Sequence, residues 1–234
     1  MTDNRAIMAA GNNADLYEAV FAAHGLRYER QPYAFIAIDP PPPFYAHLTV
    51  LRPGHADAVR ERTEQLRQRF DDPIGVKDSF CELDATEESV LFSAAWLWRK
   101  KAATMPGGWK RIETEEALGT WETAWRGAPS DERQFPETML NDAAIGFFGS
   151  WRDGRIVAGC IANISGDCVG LSNVFPDEAF ADAAGCAAAF APTLPVVGYE
   201  RGAALDKATA SGFEIVGRLR VLAFDTGTKK SGHK

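Results

Sequence analysis

No stretch of this sequence approaches the roughly 20 consecutive apolar residues that a membrane-spanning helix needs. Residues 1–13 carry neither a basic-then-apolar leader nor a cleavage pattern. The expectation is a cytoplasmic protein with no membrane partner. Cysteine is scarce: Cys81, Cys160, Cys168 and Cys186 lie singly in apolar segments, with no C-x-x-C spacing. They read as reduced core residues, not as disulfides or metal ligands. The histidines, His24, His47, His55 and His233, are equally dispersed, so no zinc or other metal site is expected. Basic charge is also in deficit. Lys and Arg number 25 against 32 Asp and Glu, a net charge of -7, and a protein that tracks nucleic-acid phosphates needs the opposite balance. G-x-S-x-G and phosphate-cradling G-x-x-x-x-G-K patterns are missing too, which argues against a hydrolase or a nucleoside triphosphatase.

What is present is an ordinary globular composition, 46% hydrophobic and 24% charged over 234 residues. Asn13 can cap a helix with Leu16, Tyr17, Val20, Phe21 and His24 on one face, ended by Gly25. Strands are expected at Tyr33 to Ile38 and Ala46 to Leu51, separated by the stiff run Pro40 to Pro43. A helix to Phe70 places Ala56, Val59, Thr63, Leu66 and Phe70 inward, while Arg60, Arg62, Arg67 and Arg69 interleave with Glu61 and Glu64 as a solvated face. The next strand, Gly75 to Leu83, holds the charged pair Lys77 and Asp78, which fits an exposed edge with outward charges.

From Val90 the order changes. A strongly apolar strand, Val90 to Trp98, precedes the loop Met105 to Gly108 and a helix from Glu113 to Trp125. Turn signals at Asp153-Gly154 and Gly166-Asp167 then divide Ile145–Trp151, Ile156–Ile164 and Cys168–Phe175 into a three-strand antiparallel meander. A helix from Glu178 to Phe190, a strand from Pro195 to Tyr199, a short helix from Ala203 to Ser211 and a long final strand to Phe224 follow. The polar tail, residues 225–234, is expected to be disordered.

Val174-Phe-Pro176 leaves the third meander strand, and Gly198-Tyr199-Glu200-Arg201-Gly202 follows the next one. Ser211-Gly212-Phe213 and Gly217-Arg-Leu-Arg-Val221 come last. In this order the segment from Val90 to Phe224 resembles the GNAT superfamily of N-acetyltransferases. The resemblance implies an α+β fold, with a mixed, mainly antiparallel sheet flanked by helices. It implies that acetyl-CoA or another acyl-CoA is the co-substrate, its pantetheine lying along Leu171, Ser172, Asn173, Val174 and Phe175. Its pyrophosphate would rest on amides at the following helix N-terminus. The family's turn there reads Arg or Gln, two residues, Gly, one residue, then Gly or Ala; aligned on Val174 and Pro176, those positions are Ala179, Asp182 and Ala184. Only Ala184 fits. Asp182 puts a carboxylate where the family has glycine, and two like charges some 4 Å apart cost about 4 kcal/mol at an effective dielectric near 20.

Amine acylation needs a base for an ammonium of pKa about 10 and an acid for the leaving thiolate. Glu200 is the candidate base and Tyr199 the candidate acid. Lys77, Asp78, Trp98 and Arg201 are the candidate contacts to a small-molecule amine acceptor. The leading expectation is an acyl-CoA-dependent N-acyltransferase; the alternative is a non-catalytic or repurposed protein of the same fold that binds a ligand or a partner. Residues 1–89 form a separate α/β part whose strand–helix–strand order, and the echo of Val174-Phe-Pro176 in Val50-Leu-Arg-Pro53, suggest a degenerate copy of the domain at 90–224. The strand ending at Phe224 could pair across a homodimer.

Overall fold

A computed structural model describes residues 2–100 and 104–225. Most of the tail expected to be disordered, residues 226–234, lies outside the described residues. Along the chain the elements are helix α1 (Asn4–Ala23), strands β1 (Tyr28–Arg30), β2 (Ala34–Ala37) and β3 (Leu48–Val50), and helix α2 (Ala56–Arg69). Strands β4 (Ile74–Asp78), β5 (Val90–Arg99) and β6 (Trp109–Arg111) precede helix α3 (Glu115–Arg126). The meander β7 (Ile145–Arg152), β8 (Arg155–Ser165) and β9 (Cys168–Phe175) leads to helix α4 (Phe180–Phe190). Strand β10 (Val196–Glu200), helix α5 (Gly202–Ala210) and strand β11 (Glu214–Phe224) complete the chain. The fold is α+β, as the resemblance implies, and no described helix is long and apolar enough to cross a membrane.

Two compact units are interleaved in sequence. Among the described residues, one comprises 2–25 and 94–217, the other 26–93 and 218–225. This division differs from a cut at residue 89, and the cause is packing. Helix α1 lies against β8, β9 and β10, and Arg220–Phe224 of β11 pair with β4.

In the first unit the strand order is β5-β10-β9-β8-β7-β6, antiparallel except where β10 meets β9. One core lies between β8–β10 and α4: Val169, Leu171 and Val196 meet Phe180, Ala183, Ala184 and Ala187. The alanines of α4 bring the helix close to the sheet. Helix α1 begins nine residues before the expected Asn13. Gly11-Asn12-Asn13 is poor helix material, but Asn12 is fixed by exchange with the sheet. Its Nδ2 donates to the Asn163 carbonyl at 3.0 Å, and Asn163 Nδ2 donates to the Asn12 carbonyl at 3.1 Å. Gly170 makes room for this pair, since a Cβ there would stand 2.0 Å from Asn12 Oδ1. Asp3 caps the new start, accepting from the Arg5 amide at 2.8 Å.

In the second unit the order is β1-β2-β3-β4-β11, with β3 and β4 parallel and the other pairs antiparallel. Ala34, Ile36, Leu48, Val50, Val76 and Leu222 form its core with Val59 and Leu66 of α2. The strand expected to run to Leu83 stops at Asp78, and Lys77 and Asp78 are buried, not the outward charges of an edge. The pairing of β4 with β11 makes it an interior strand. Of the cysteines, Cys160, Cys168 and Cys186 are buried thiols as expected, whereas Cys81 is exposed in the turn after β4.

Candidate active site

Parallel strands β9 and β10 share a short ladder, Val169 with Val196 and Gly170 with Val197, and part beyond it. Each is held by its outer neighbour. Strand β10 stays paired with β5 through Glu200 and Ala95, and β9 with β8 through Phe175 and Gly159. A bulge helps the strands diverge: between the pairs Ser172–Ile161 and Phe175–Gly159, Asn173 and Val174 oppose Cys160 alone, and Asn173 takes φ 52. At the fork, Gly198 lies so near the Leu171 carbonyl that a Cβ would be 2.7 Å from its oxygen. Past Gly170 and Val197 no further pair joins β9 to β10.

Side chains line this fork from both strands. Leu171 is buried in the core toward α4, with Val174 packed against the same core. The Ser172 hydroxyl, on β9 just past the ladder, is buried with no hydrogen-bond partner. Phe175 meets Trp121 of α3 edge-on at 5.3 Å. On β10, Tyr199 stands edge-on to Trp96 at 5.5 Å, and burial, then the Glu200 charge, pushes its pKa up to about 12. Glu200 is half-buried. Burial, then the nearby Asp177 charge, raises its pKa to about 7, against the opposing pull of Arg201.

The other expected contacts fall elsewhere. Trp98 pairs with Val197 at the closed end of the fork and carries the Arg5 guanidinium over its ring at 5.1 Å. Arg201 is exposed at the start of α5. Lys77 and Asp78 belong to the second unit. Asp78 accepts from the amides of Glu82 and Leu83, at 3.0 and 3.1 Å, and from Arg220 Nη2 at 2.9 Å. Lys77 is fully buried, and burial lowers its pKa to about 7.

Helix α4, reached through a 3-10 turn at Asp177–Ala179, begins without a side-chain cap. Asp177, Glu178 and the first-turn Asp182 surround that start, and Trp109 Nε1 donates to Asp182 Oδ2 at 3.4 Å. Gly185 is no substitute phosphate glycine. It is buried inside the helix, and its missing Cβ would be 3.0 Å from Pro106 Cγ. The fork therefore suits the pantetheine part of acyl-CoA, while the helix start does not suit its pyrophosphate.

Three contributors escape a reading of the sequence. Asp177 acts on Glu200 through space, and nothing in its local pattern marks it. Gly198 has a signal, a glycine inside an apolar strand, which often marks close backbone approach. Gly159 has the same signal. A Cβ there would lie 2.3 Å from Trp121 Nε1, which donates to the Phe148 carbonyl at 2.8 Å.

A three-strand meander, a crossover helix and a parallel strand that splays from the meander define the GNAT acyltransferase fold, and this chain has that fold. A GCN5-related N-acetyltransferase from Kribbella flavida superposes with a TM-score of 0.60 at 14% identity, covering 94% of this chain and 96% of that one. A tandem GNAT protein from the clavulanic acid biosynthesis pathway gives 0.50 at 10% identity, over 96% and 94%. N-myristoyltransferase of Saccharomyces cerevisiae, solved with bound myristoyl-CoA and inhibitors, gives 0.52 at 12% identity, over 92% and 78%. At such identities the likeness is one of fold. No protein-family model matches the sequence, and no curated protein matches it.

Proposed function

We propose that the protein is an N-acyltransferase, moving an acyl group from an acyl-CoA thioester to the amine of a small molecule. The observation that carries this reading is the fork between β9 and β10, with the half-buried Glu200 at the end of β10. In this scheme the pantetheine pairs with the backbone of residues 171–175. Glu200, with a pKa near 7, takes the proton of the incoming ammonium. The amine nitrogen then bonds to the thioester carbon as the C–S bond breaks; Tyr199, protonated throughout the neutral range, gives a proton to the thiolate and regains one from the nitrogen as it becomes an amide. Thiol release from acetyl-CoA with a panel of small primary amines tests this. Turnover that rises with pH through about 7 is the expected result; no turnover with any acetyl- or longer acyl-CoA refutes it.

One observation favours a second reading. The three carboxylates at the start of α4 oppose a pyrophosphate there, which suits a protein that kept the fork for another extended ligand. Calorimetric titration with acetyl-CoA separates the two: micromolar binding supports the acyltransferase, and no binding at millimolar ligand supports the repurposed fold.

A further inference from the structure

The turn after β9 leads directly from the fork to α4, and its chemistry opposes a multiply charged anion. Two of its amides are already committed. The Ala179 amide donates to the Pro176 carbonyl at 2.9 Å, and the Phe180 amide donates to the Asp177 carbonyl. Both bonds close the 3-10 turn, so the start of α4 has fewer N–H groups to offer a phosphate than a helix N-terminus usually has. Its side chains are anionic as well. Asp177, Glu178 and Asp182 are exposed there, and carboxylates at that end already supply the negative charge that the helix dipole favours. Nearby sequence brings no cation to offset them. Between Arg155 and Arg201 the chain has no Lys or Arg, and that stretch covers nearly all of β8 and the whole of β9, α4 and β10. Arg201 stands at the start of α5 and acts on Glu200.

The fork itself makes no such objection. Its strands part past the Gly170–Val197 pair, and Gly198 lets β10 approach the Leu171 carbonyl. A pantetheine arm is uncharged, a chain of amides and hydroxyls ending in sulfur. CoA adds to that arm a pyrophosphate and a ribose phosphate, all of them anionic. Given acyl transfer at the fork, on which this step rests, we infer that the favoured donor is an acyl-pantetheine thioester without the nucleotide, recognised through its uncharged arm alone. In a site that grips the whole of CoA, cutting away the nucleotide forfeits binding energy and slows turnover. Here the nucleotide meets three carboxylates and nothing is forfeited. The reaction balances in the same way. The amine nitrogen bonds to the acyl carbon, the C–S bond breaks, and pantetheine leaves as the thiol. Glu200 takes the ammonium proton, and the second proton that the nitrogen loses ends on the sulfur through Tyr199.

Initial rates of the full chain with S-acetylpantetheine and with acetyl-CoA, on the same panel of primary amines, test this. The kcat/KM for S-acetylpantetheine should equal or exceed that for acetyl-CoA. Raising the ionic strength from about 0.01 M to about 0.15 M shortens the screening length from about 30 Å to about 8 Å. That change should improve kcat/KM for acetyl-CoA severalfold and leave the uncharged donor unmoved. Asp182→Asn, which keeps an oxygen for the Trp109 indole, and Glu178→Gln should each improve acetyl-CoA about twofold or more at low salt, with S-acetylpantetheine unchanged. Thermal melting reports whether each variant is folded, and Glu178→Gln, at an exposed position, serves if Asp182→Asn is not. Three results overturn the inference and leave acyl transfer standing: acetyl-CoA as the better donor, a fall in its kcat/KM with added salt, or a donor preference that no folded variant shifts. Turnover with neither donor overturns both.

Discussion

The two units repeat one order of pairings and put it to opposite uses. In the first, antiparallel β7, β8 and β9 are followed by α4, then β10 parallel to β9, then β5 antiparallel to β10. In the second, β1, β2 and β3 are followed by α2, then β4 parallel to β3, then β11 antiparallel to β4. The parallel ladders match in length, Val169–Val196 and Gly170–Val197 against Leu48–Val76 and Thr49–Lys77. By that register, Val197 and Gly198 correspond to Lys77 and Asp78. Glycine lets β10 brush past the Leu171 carbonyl and run on to Tyr199 and Glu200, leaving a fork. Asp78 instead draws in the amides of residues 82 and 83 and the Arg220 guanidinium, and the strand stops. An open fork and a structural clasp stand here at corresponding positions, glycine at one and aspartate at the other. This shared order is what a degenerate duplication would leave, and we retain duplication as a proposal.

The sharpest way to break the comparison is at the clasp. Asp78→Ala removes the acceptor of two amides and the carboxylate partner of Arg220, leaving its Nη2 only the Leu83 carbonyl, and should cost about 3–5 kcal/mol in urea unfolding. A loss below about 1 kcal/mol would mean the clasp is incidental. At the fork, Glu200→Gln should lower acyl transfer at least about a hundredfold; unchanged turnover would remove Glu200 from the mechanism. The same substitution should raise the melting temperature at pH 8. Glu200 titrates near 7 in the folded protein against 4.5 as the unperturbed value, so the folded state holds the extra proton and stability falls as pH rises across that window.

Lys77 carries the opposite sign. Its pKa falls from 10.5 to about 7, so between those values the unfolded chain binds the extra proton and stability climbs with pH. Urea unfolding of the native protein should show that slope, and Lys77→Met should flatten it; a flat profile in both would mean Lys77 escapes its burial. The smallest effect expected is that of Asp177→Asn. Removing the charge that adds to burial should move the lower limb of the pH–rate profile down by a fraction of a unit, whereas an unmoved limb would leave desolvation as the sole cause of the Glu200 shift.

Much of this architecture was legible in residue patterns. The turn signals at Asp153-Gly154 and Gly166-Asp167 mark the meander because positive-φ positions in tight hairpins select such residues, and both glycines take positive φ. Helix α3 ends at Gly127 in the left-handed region, as a glycine after a helix predicts. Glu200 and Tyr199 were accessible as candidates because the resemblance places them on a splayed strand, and they end β10. The early start of α1 was not, because an asparagine inside a helix reads as a breaker until its partner Asn163, far away in sequence, is known.

By itself the sequence determined the periodicities, the caps and turns, and so the order of strands and helices, because these depend on residues only a few positions apart. Tertiary structure alone decided which charges are buried, and with what partners. Lys77 and Asp78 look like an exposed edge until β11 pairs beside them, and Asp177 reaches Glu200 only because the 3-10 turn before α4 returns to the end of β10. Electrostatic environment is set by distance in space and by excluded water, and neither is written in the local order of residues.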